Sequence, residues 1–418
     1  MIGAGISGLS AVWLLARSHE VVLFDREPRA GGHANTARVP TADGDVPVDT
    51  GFIVFNEATY PGFSAMLRAL GVPTQPAEMS FGCRCDGCGL QYSSRGAAGF
   101  FARRSAMVRL GHWRLLAELR GFFADARRRL ESGIDDGLTL GGYLAGRGSE
   151  LRGHFLVPLA AAVWSTAPAE VLDFPLLYLL RFLDNHGLIG FGRAVRWRTI
   201  TGGSNEYVRR VLATLPPGSI RLGDVVRSVR PVPGNAIEVA TAGGTNARFD
   251  AAVIATHADE ALRLLHAATS AQRRALETFR YTTNRVVLHT DTSTLPGLRD
   301  ARASWNVSTA GCQGEDRALS MTYDLSRLQS IPGPERFLVS VNPRKDLDPR
   351  RVVSEHAYSH PSYGPETLAA QRRVADIQGL DGVYFAGAHL GYGFHEDGHR
   401  SGASVAARLS RMSSPAGA

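Results

Sequence analysis

The chain has 418 residues, 44% of them apolar, a formal net charge of +7 and four cysteines. That length exceeds one ordinary core and makes two domains the default, while the balanced composition excludes a disordered chain. Nearly all the base is arginine, with Lys345 the single lysine, and no basic block carries the interleaved aromatics of a nucleic-acid face. No uncharged apolar run of about 18 residues is present to span a membrane, and so few cysteines argue against a disulfide scaffold. A cytoplasmic protein is expected, without a nucleic-acid partner, its basic balance suited to peripheral contact with anionic lipid.

Gly3, Gly5 and Gly8 form a G-x-G-x-x-G loop, and residues 9–17 read as the helix after it. The first glycine allows a tight turn, the second lets backbone approach a pyrophosphate, and the third lets helix pack on strand. The N–H groups at the helix start, around Ile6 and Ser7, then face the phosphates. Residues 21–24 are an apolar run ending at Asp25, about 20 residues on, where dinucleotide folds place the ribose-binding acid. Arg26 follows, and Arg29-Ala30-Gly31-Gly32-His33 adds a second glycine turn that nicotinamide-binding Rossmann units lack. The strand before Gly3 is reduced to Met1 and Ile2, against a usual length of about five or six, so a longer N-terminus is expected.

Asp49, Thr50 and Gly51 form a turn before a strand over residues 52–55 and a helix over 60–70. Cys83, Cys85 and Cys88 surround Asp86-Gly87, a strong hairpin signal. A tetrahedral zinc site needs a fourth ligand with matching spacing, and the remaining cysteine, Cys312, is distant in sequence. The expectation is a hairpin with incidental thiols and no metal. Residues 99–130 carry apolar side chains at helical spacing with arginines between them, read as a domain helix with solvated arginines rather than a membrane-surface helix. Residues 156–164, ending at Trp164, and 174–182 are strongly apolar and predict the interior of a second domain. His186 interrupts them as a pocket candidate.

Residues 197–204 return the chain to the nucleotide domain through a strand and the Gly202-Gly203 turn. A strand over 222–229, a buried parallel strand over 250–256 and a strand over 284–289 follow. Residues 305–306, 320–323 and 337–341 continue an antiparallel sheet. Residues 382–387 form a buried strand. A loop over 391–398 leads into a helix beginning after Ser401-Gly402, and residues 413–418 read as a disordered tail.

On these residues the chain resembles the flavin-containing amine oxidase and phytoene desaturase-like superfamily. It is most similar to bacterial proteins labelled predicted NAD/FAD-binding, often encoded near cyclopropane-fatty-acid-synthase-like methyltransferases. The runs carrying the closer likeness are 164–166, 185–187, 305–306 and 393–398. The resemblance implies an α/β fold: a Rossmann-type FAD-binding domain (1–75, 200–265, 370–412) interleaved with an α+β substrate domain (76–199, 266–369). It implies non-covalent FAD, since no cysteine lies between Phe385 and Gly402. Gly3, Gly5, Ile6, Ser7, Gly8, Asp25 and Arg26 would hold the nucleotide end. Gly31, Gly32, His33, Asp49, Thr50, Gly51 and Phe52 would continue the cradle, with Val226, Gly387, Ala388, Phe394, His395 and Gly398 closing it. Trp164, His186, Tyr323 and Tyr392 are expected in the substrate pocket.

Amine oxidases of this superfamily usually place a lysine on the strand that here reads 281–286; Asn284 and Arg285 stand there instead. The expected activity is therefore FAD-dependent hydride transfer with a hydrophobic substrate, a lipid acyl chain. His395 and Glu396, with Asn284, are the candidate catalytic groups, because an imidazole titrates near neutrality. Amine oxidation, polyene desaturation and a non-catalytic FAD-fold binding protein are the alternatives. The electron-acceptor partner is left open.

Overall fold

The computed structural model describes residues 1–133, 135–164, 166–190, 195–312 and 319–413. Ser165, within one of the resembling runs, lies outside them, as do 414–418 of the expected tail.

A parallel sheet is assembled around one residue. Ile2 bridges Phe24 on one side and Ile254 on the other, through Ile2 N to Val253 O and Gly3 N to Phe24 O at 2.9 and 2.8 Å. It thereby joins the pair Leu23–Asp25 and Ile220–Leu222 to the pair Ala252–Ile254 and Val383–Phe385. Both edges of this short first strand are hydrogen-bonded. The next helix spans Ile6–Leu15, starting three residues before the expected position because Gly5 is already its extended N-cap. Nearly every residue in it is buried, as a helix covered on both sides must be. The last helix, His395–Ser413, packs against it. A Cβ on Gly402 would lie 2.1 Å from Ser7 O, so glycine sets how closely the two helices approach.

The expected strand over 222–229 divides in two. Ile220–Leu222 joins the parallel sheet, and after a turn at Gly223 (φ +75°) Val226–Val232 begins a three-stranded meander. Of residues 52–55 only Phe55 enters a strand.

The second layer is a seven-stranded sheet in the order Val352–Ser362, Arg280–His289, Leu338–Val341, Ser320–Asp324, Trp305–Thr309, Phe81–Cys85, Gln91–Ser93. It is mixed rather than antiparallel throughout, because Trp305–Thr309 runs parallel to Phe81–Cys85. Helices Leu110–Ser132, Val157–Trp164 and Leu176–Asn185 share a core with it that includes Leu115, Phe122, Leu159, Phe182, Leu288 and Val339. In the longest, Leu115, Leu119, Phe122, Phe123 and Ala126 point inward while Arg114, Arg120 and Arg128 are exposed, the pattern of a domain helix. Met107, Val108, Leu110 and Trp113 just before and within its first turn are nonetheless exposed. Among the described residues no helix is long and apolar enough to cross a membrane.

Candidate active site

A cleft of about 890 Å³ runs from the parallel sheet to the face of the seven-stranded sheet. The glycine loop forms one end. Gly3 has φ +102°, and a Cβ there would meet Ala255 O at 2.7 Å. A Cβ on Gly8 would sit 1.9 Å from Gly3 O, whereas one on Gly5 would meet nothing within 4 Å. Gly8 therefore packs the helix onto the turn and does not face the cleft, while Gly5 opens onto it. The second glycine turn closes over the first, with Gly32 (φ +57°) placing a would-be Cβ 3.3 Å from Gly5 Cα. Asp25 anchors the first, its carboxylate accepting from Ala4 N at 2.6 Å and Glu27 N at 2.9 Å, and Gly31 N donates to Ala4 O at 2.8 Å to join the two turns.

Two polar atoms in this region are buried without a partner, Arg29 Nη1 and His33 Nε2. The helix at Gly5 has no side-chain cap and no acid in its first turn. An unpaired guanidinium donor and a free helix N-terminus beside an open glycine are what a dinucleotide pyrophosphate satisfies, so the residues present fit such a cofactor. Ile6, Ser7, Arg26, Gly31, Thr50, Gly51, Phe52, Val226, Gly387, Ala388, Phe394 and His395 also line the cleft.

Asp49 and Gly398 do not. Asp49 is fully buried, accepting from Thr36 Oγ1, Ser204 N, Ser204 Oγ and Gln329 Nε2. It holds the Gly51 turn from behind, and burial raises its carboxyl to about 6. Gly398 lies within the last helix, which begins at His395, eight residues before the expected start after Gly402, and its Cβ would strike Ile6.

The expected catalytic trio separates. His395 is stacked on Phe52 at 3.5 Å, with Nε2 3.2 Å from Tyr207 Oη. Burial lowers its pKa to about 3, so it stays neutral near pH 7 and is not poised as a general base. Glu396 accepts from Gly62 N and Phe63 N at 3.0 and 2.9 Å, capping helix Pro61–Ala69 away from the cleft. Asn284 is buried behind the cleft wall. Its Oδ1 accepts from Asn342 and its Nδ2 donates to Thr282 O and to His360 Nδ1 at 3.0 Å. An amide N–H can only donate, so Nδ1 of His360 is unprotonated and its proton sits on Nε2.

Strand Val352–Ser362, unread in the sequence, lays His356, Tyr358 and His360 on one face at a spacing of two, all lining the cleft. His33 lies 4.9 Å from Tyr358 and 5.2 Å from His360, ring to ring. Burial lowers His360 to about 4 and His33 well below its ordinary value. The alternation of those three residues was the available signal.

The far end is apolar and aromatic. Trp164, Phe182 and Phe394 pack together, Trp164 4.6 Å and Phe394 4.8 Å from Phe182, and Val286, Val339, Val341 and Tyr323 complete it. Tyr392 and Phe394 are fixed because Trp164 Nε1 donates to Tyr392 O and Tyr178 Oη to Gly391 O. His186 packs against Phe182, ring centroids 3.9 Å apart and tilted by 32°. Its Nδ1 donates to Phe182 O at 2.8 Å, leaving Nε2 as a bare acceptor without a partner. Burial lowers its pKa to about 4. Trp305 Nε1 is a buried donor likewise unpartnered. All four residues expected in the substrate pocket line this cleft.

The cysteine reading needs correction. The hairpin forms, yet Cys312 is not distant in space: with His154 it meets Cys85 and Cys88.

A family model described as flavin containing amine oxidoreductase matches residues 6–311. A Mycobacterium tuberculosis protein carrying the name flavin-containing monoamine oxidase AofH is 27% identical over 232 residues, 51% of this chain and 47% of that protein. The chain thus spans about half the length of the curated relatives it matches. The CLA-producing fatty acid isomerase from P. acnes shares the fold with a TM-score of 0.70 at 14% identity, covering 99% of this chain and 97% of that one. Cyclohexylamine oxidase from Brevibacterium oxydans IH-35A gives 0.67 at 16% identity, with 98% of each chain covered.

Proposed function

The chain belongs to the flavin-containing amine oxidoreductase family, and we propose that it is an FAD-dependent oxidoreductase whose substrate is hydrophobic, a lipid acyl chain. Gly5, Arg29 and the N-terminus of helix Ile6–Leu15 would take the pyrophosphate, and the turn Thr50–Gly51 with His33 the flavin side. FAD, when bound, supplies a two-electron acceptor or donor for hydride exchange with substrate. The chain binds and orients that substrate and excludes water from it.

The observation that carries the reading is the far end of the cleft, where Trp164, Phe182, Phe394, Val339 and Val341 offer apolar wall. Of the carboxylates among the described lining residues, Asp25, Glu27, Asp224 and Glu260 belong to the nucleotide side. Glu355 is held by Arg285 through two bonds of 2.7 and 2.8 Å. An ammonium substrate would therefore lack a free anionic partner there. His186 Nε2 and Trp305 Nε1, one acceptor and one donor, can orient a neutral polar group. The exposed Met107, Val108, Leu110 and Trp113, flanked by exposed Arg103, Arg104, Arg109 and Arg114, suit contact with an anionic lipid surface, from which such a chain would come. The fatty acid isomerase name among the structural neighbours accords with this class of substrate.

The test is the absorption spectrum of the purified flavoprotein without oxygen, recorded after adding phospholipid or free fatty acid and, separately, primary amines. Bleaching by acyl lipid supports the proposal if the flavin is delivered oxidised; chemically reduced flavin reoxidised by an unsaturated chain supports it in the other direction. Reduction by amines with peroxide release, and indifference to lipid in both states, would establish amine oxidation instead.

A further inference from the structure

We propose that Cys85, Cys88, His154 and Cys312 form a structural zinc site, separate from the flavin cleft, that staples the edge of the seven-stranded sheet. Their four ligand atoms all lie within 4.8 Å of one another, and none of the four residues lines the cleft. Cys85 Sγ lies 3.6 Å from Cys312 Sγ, and Cys88 Sγ 3.6 Å from His154 Nε2. Zinc bonds of about 2.3 Å to sulfur and about 2.0–2.1 Å to nitrogen, set tetrahedrally, require ligand separations of roughly 3.8 Å between sulfurs and roughly 3.6 Å between sulfur and nitrogen. A disulfide would bring two sulfurs to about 2.05 Å, and all four cysteines are free.

The backbone is built to bring these atoms together. Cys85 and Cys88 sit on a hairpin tip where Gly89 N donates to Cys85 O at 3.0 Å and Gly89 adopts φ +72°. Parallel pairing sets Thr309 opposite Cys85, and Asp86 N donates to Thr309 O at 3.0 Å, so Cys312 arrives three residues later at the same tip. Gly153 has no side chain where one would lie 1.8 Å from Cys312 O. This lets the Cys312 segment rest on the turn Arg152–Leu156 that carries His154.

Glu150 Oε2 lies 2.7 Å from His154 Nδ1. A carboxylate only accepts, so Nδ1 carries the proton and Nε2 presents its lone pair to the thiols. A carboxylate behind a ligating histidine is the usual support of a metal-bound imidazole. Three thiols and one imidazole make a closed, borderline-soft set that selects zinc and leaves no open position, which is the character of a structural rather than a catalytic site. Binding converts the thiols to thiolates and releases up to three protons to solvent.

The experiment is elemental analysis of the purified full-length flavoprotein, before and after incubation with stoichiometric zinc and removal of unbound metal. About one zinc per chain is expected, as a single four-ligand site holds one ion. Cys88→Ser, changed at the exposed ligand, is expected to lower zinc at least tenfold while flavin absorbance per chain is kept. Should that variant fail to fold, the wild type decides: mercurial titration of its thiols would release the zinc stoichiometrically, and cobalt exchange would give the visible bands of a tetrahedral thiolate site. Metal below one-tenth per chain after zinc incubation, or a Cys85–Cys312 disulfide in a non-reducing peptide map, would overturn the proposal.

Discussion

Two glycines three residues apart have opposite tasks, and alanine separates them. At Gly8 a Cβ would sit 1.9 Å from Gly3 O, so Gly8→Ala must displace the helix, and loss of both flavin and thermal stability is expected. Gly5 has φ −76° and an open Cβ direction, so Gly5→Ala should leave the melting temperature of the flavin-free protein within a degree or two. Its methyl occupies the space a pyrophosphate needs, and the FAD dissociation constant should rise about tenfold or more, equivalent to about 1.4 kcal/mol. Equilibrium titration with FAD, read beside thermal melts, checks both. His186→Phe keeps the ring that packs against Phe182 and removes the free acceptor. Unchanged FAD affinity is expected, with substrate affinity weakened about tenfold for the one lost hydrogen bond, as anaerobic flavin-bleaching titrations would show. Equal substrate affinity in the two proteins would remove His186 from the pocket.

At the scale of elements, Glu396 belongs to helix Pro61–Ala69, whose first N–H groups it receives. Glu396→Gln should cost on the order of 1 kcal/mol of stability, as lost helix caps do, and leave the rate of flavin reduction by a given reductant unchanged; a slowed hydride step with intact stability would return it to the chemistry. The glycines that set the first turn and the packing of the first and last helices were legible in the sequence because sterics leave few other residues possible at Gly3, Gly8 or Gly402. Strand Val352–Ser362 left only a polar alternation to read. Its cleft face carries His356, Tyr358 and His360 rather than aliphatic residues, so the apolar alternation that announces a half-buried strand is missing where the strand lines a ligand site. The roles assigned to Glu396 and Asn284 failed for a related reason, since adjacency to a motif says nothing about which way a side chain points. The cysteine cluster was hidden by sequence distance: only the parallel pairing of Trp305–Thr309 with Phe81–Cys85 brings Cys312 to the hairpin.

For the whole molecule, buried imidazoles set the response to acid. Burial holds His186 and His360 at about 4, His389 and His395 at about 3, and His33 well below the ordinary range. As pH falls from about 6.5 to about 4 the unfolded chain takes up protons that these folded residues refuse, so stability drops. Each contributes up to about 1.4 kcal/mol per pH unit over that window. Asp49 and Asp397, raised to about 6 by burial, act in the opposite sense, because the folded chain protonates them before the unfolded one does. The lowered imidazoles, His289 at about 4 among them, outnumber the raised carboxyls, so the net is a loss, and the melting temperature should fall steadily below about pH 6.5. A flat or rising profile would show that these imidazoles are solvated.

Helix Ile6–Leu15 and helix His395–Ser413 meet through Gly398 and Gly402, and Phe394 and His395 close a cradle begun at Gly3. The cradle is therefore drawn from two stretches of sequence almost four hundred codons apart. A nascent chain still held on the ribosome before residue 402 emerges lacks the helix that covers one side of its first helix, whose other side packs on Phe63, Met66 and Tyr207. The cradle is complete only once residue 402 has emerged, and until then the growing polypeptide depends on the core of its middle region to stay out of trouble.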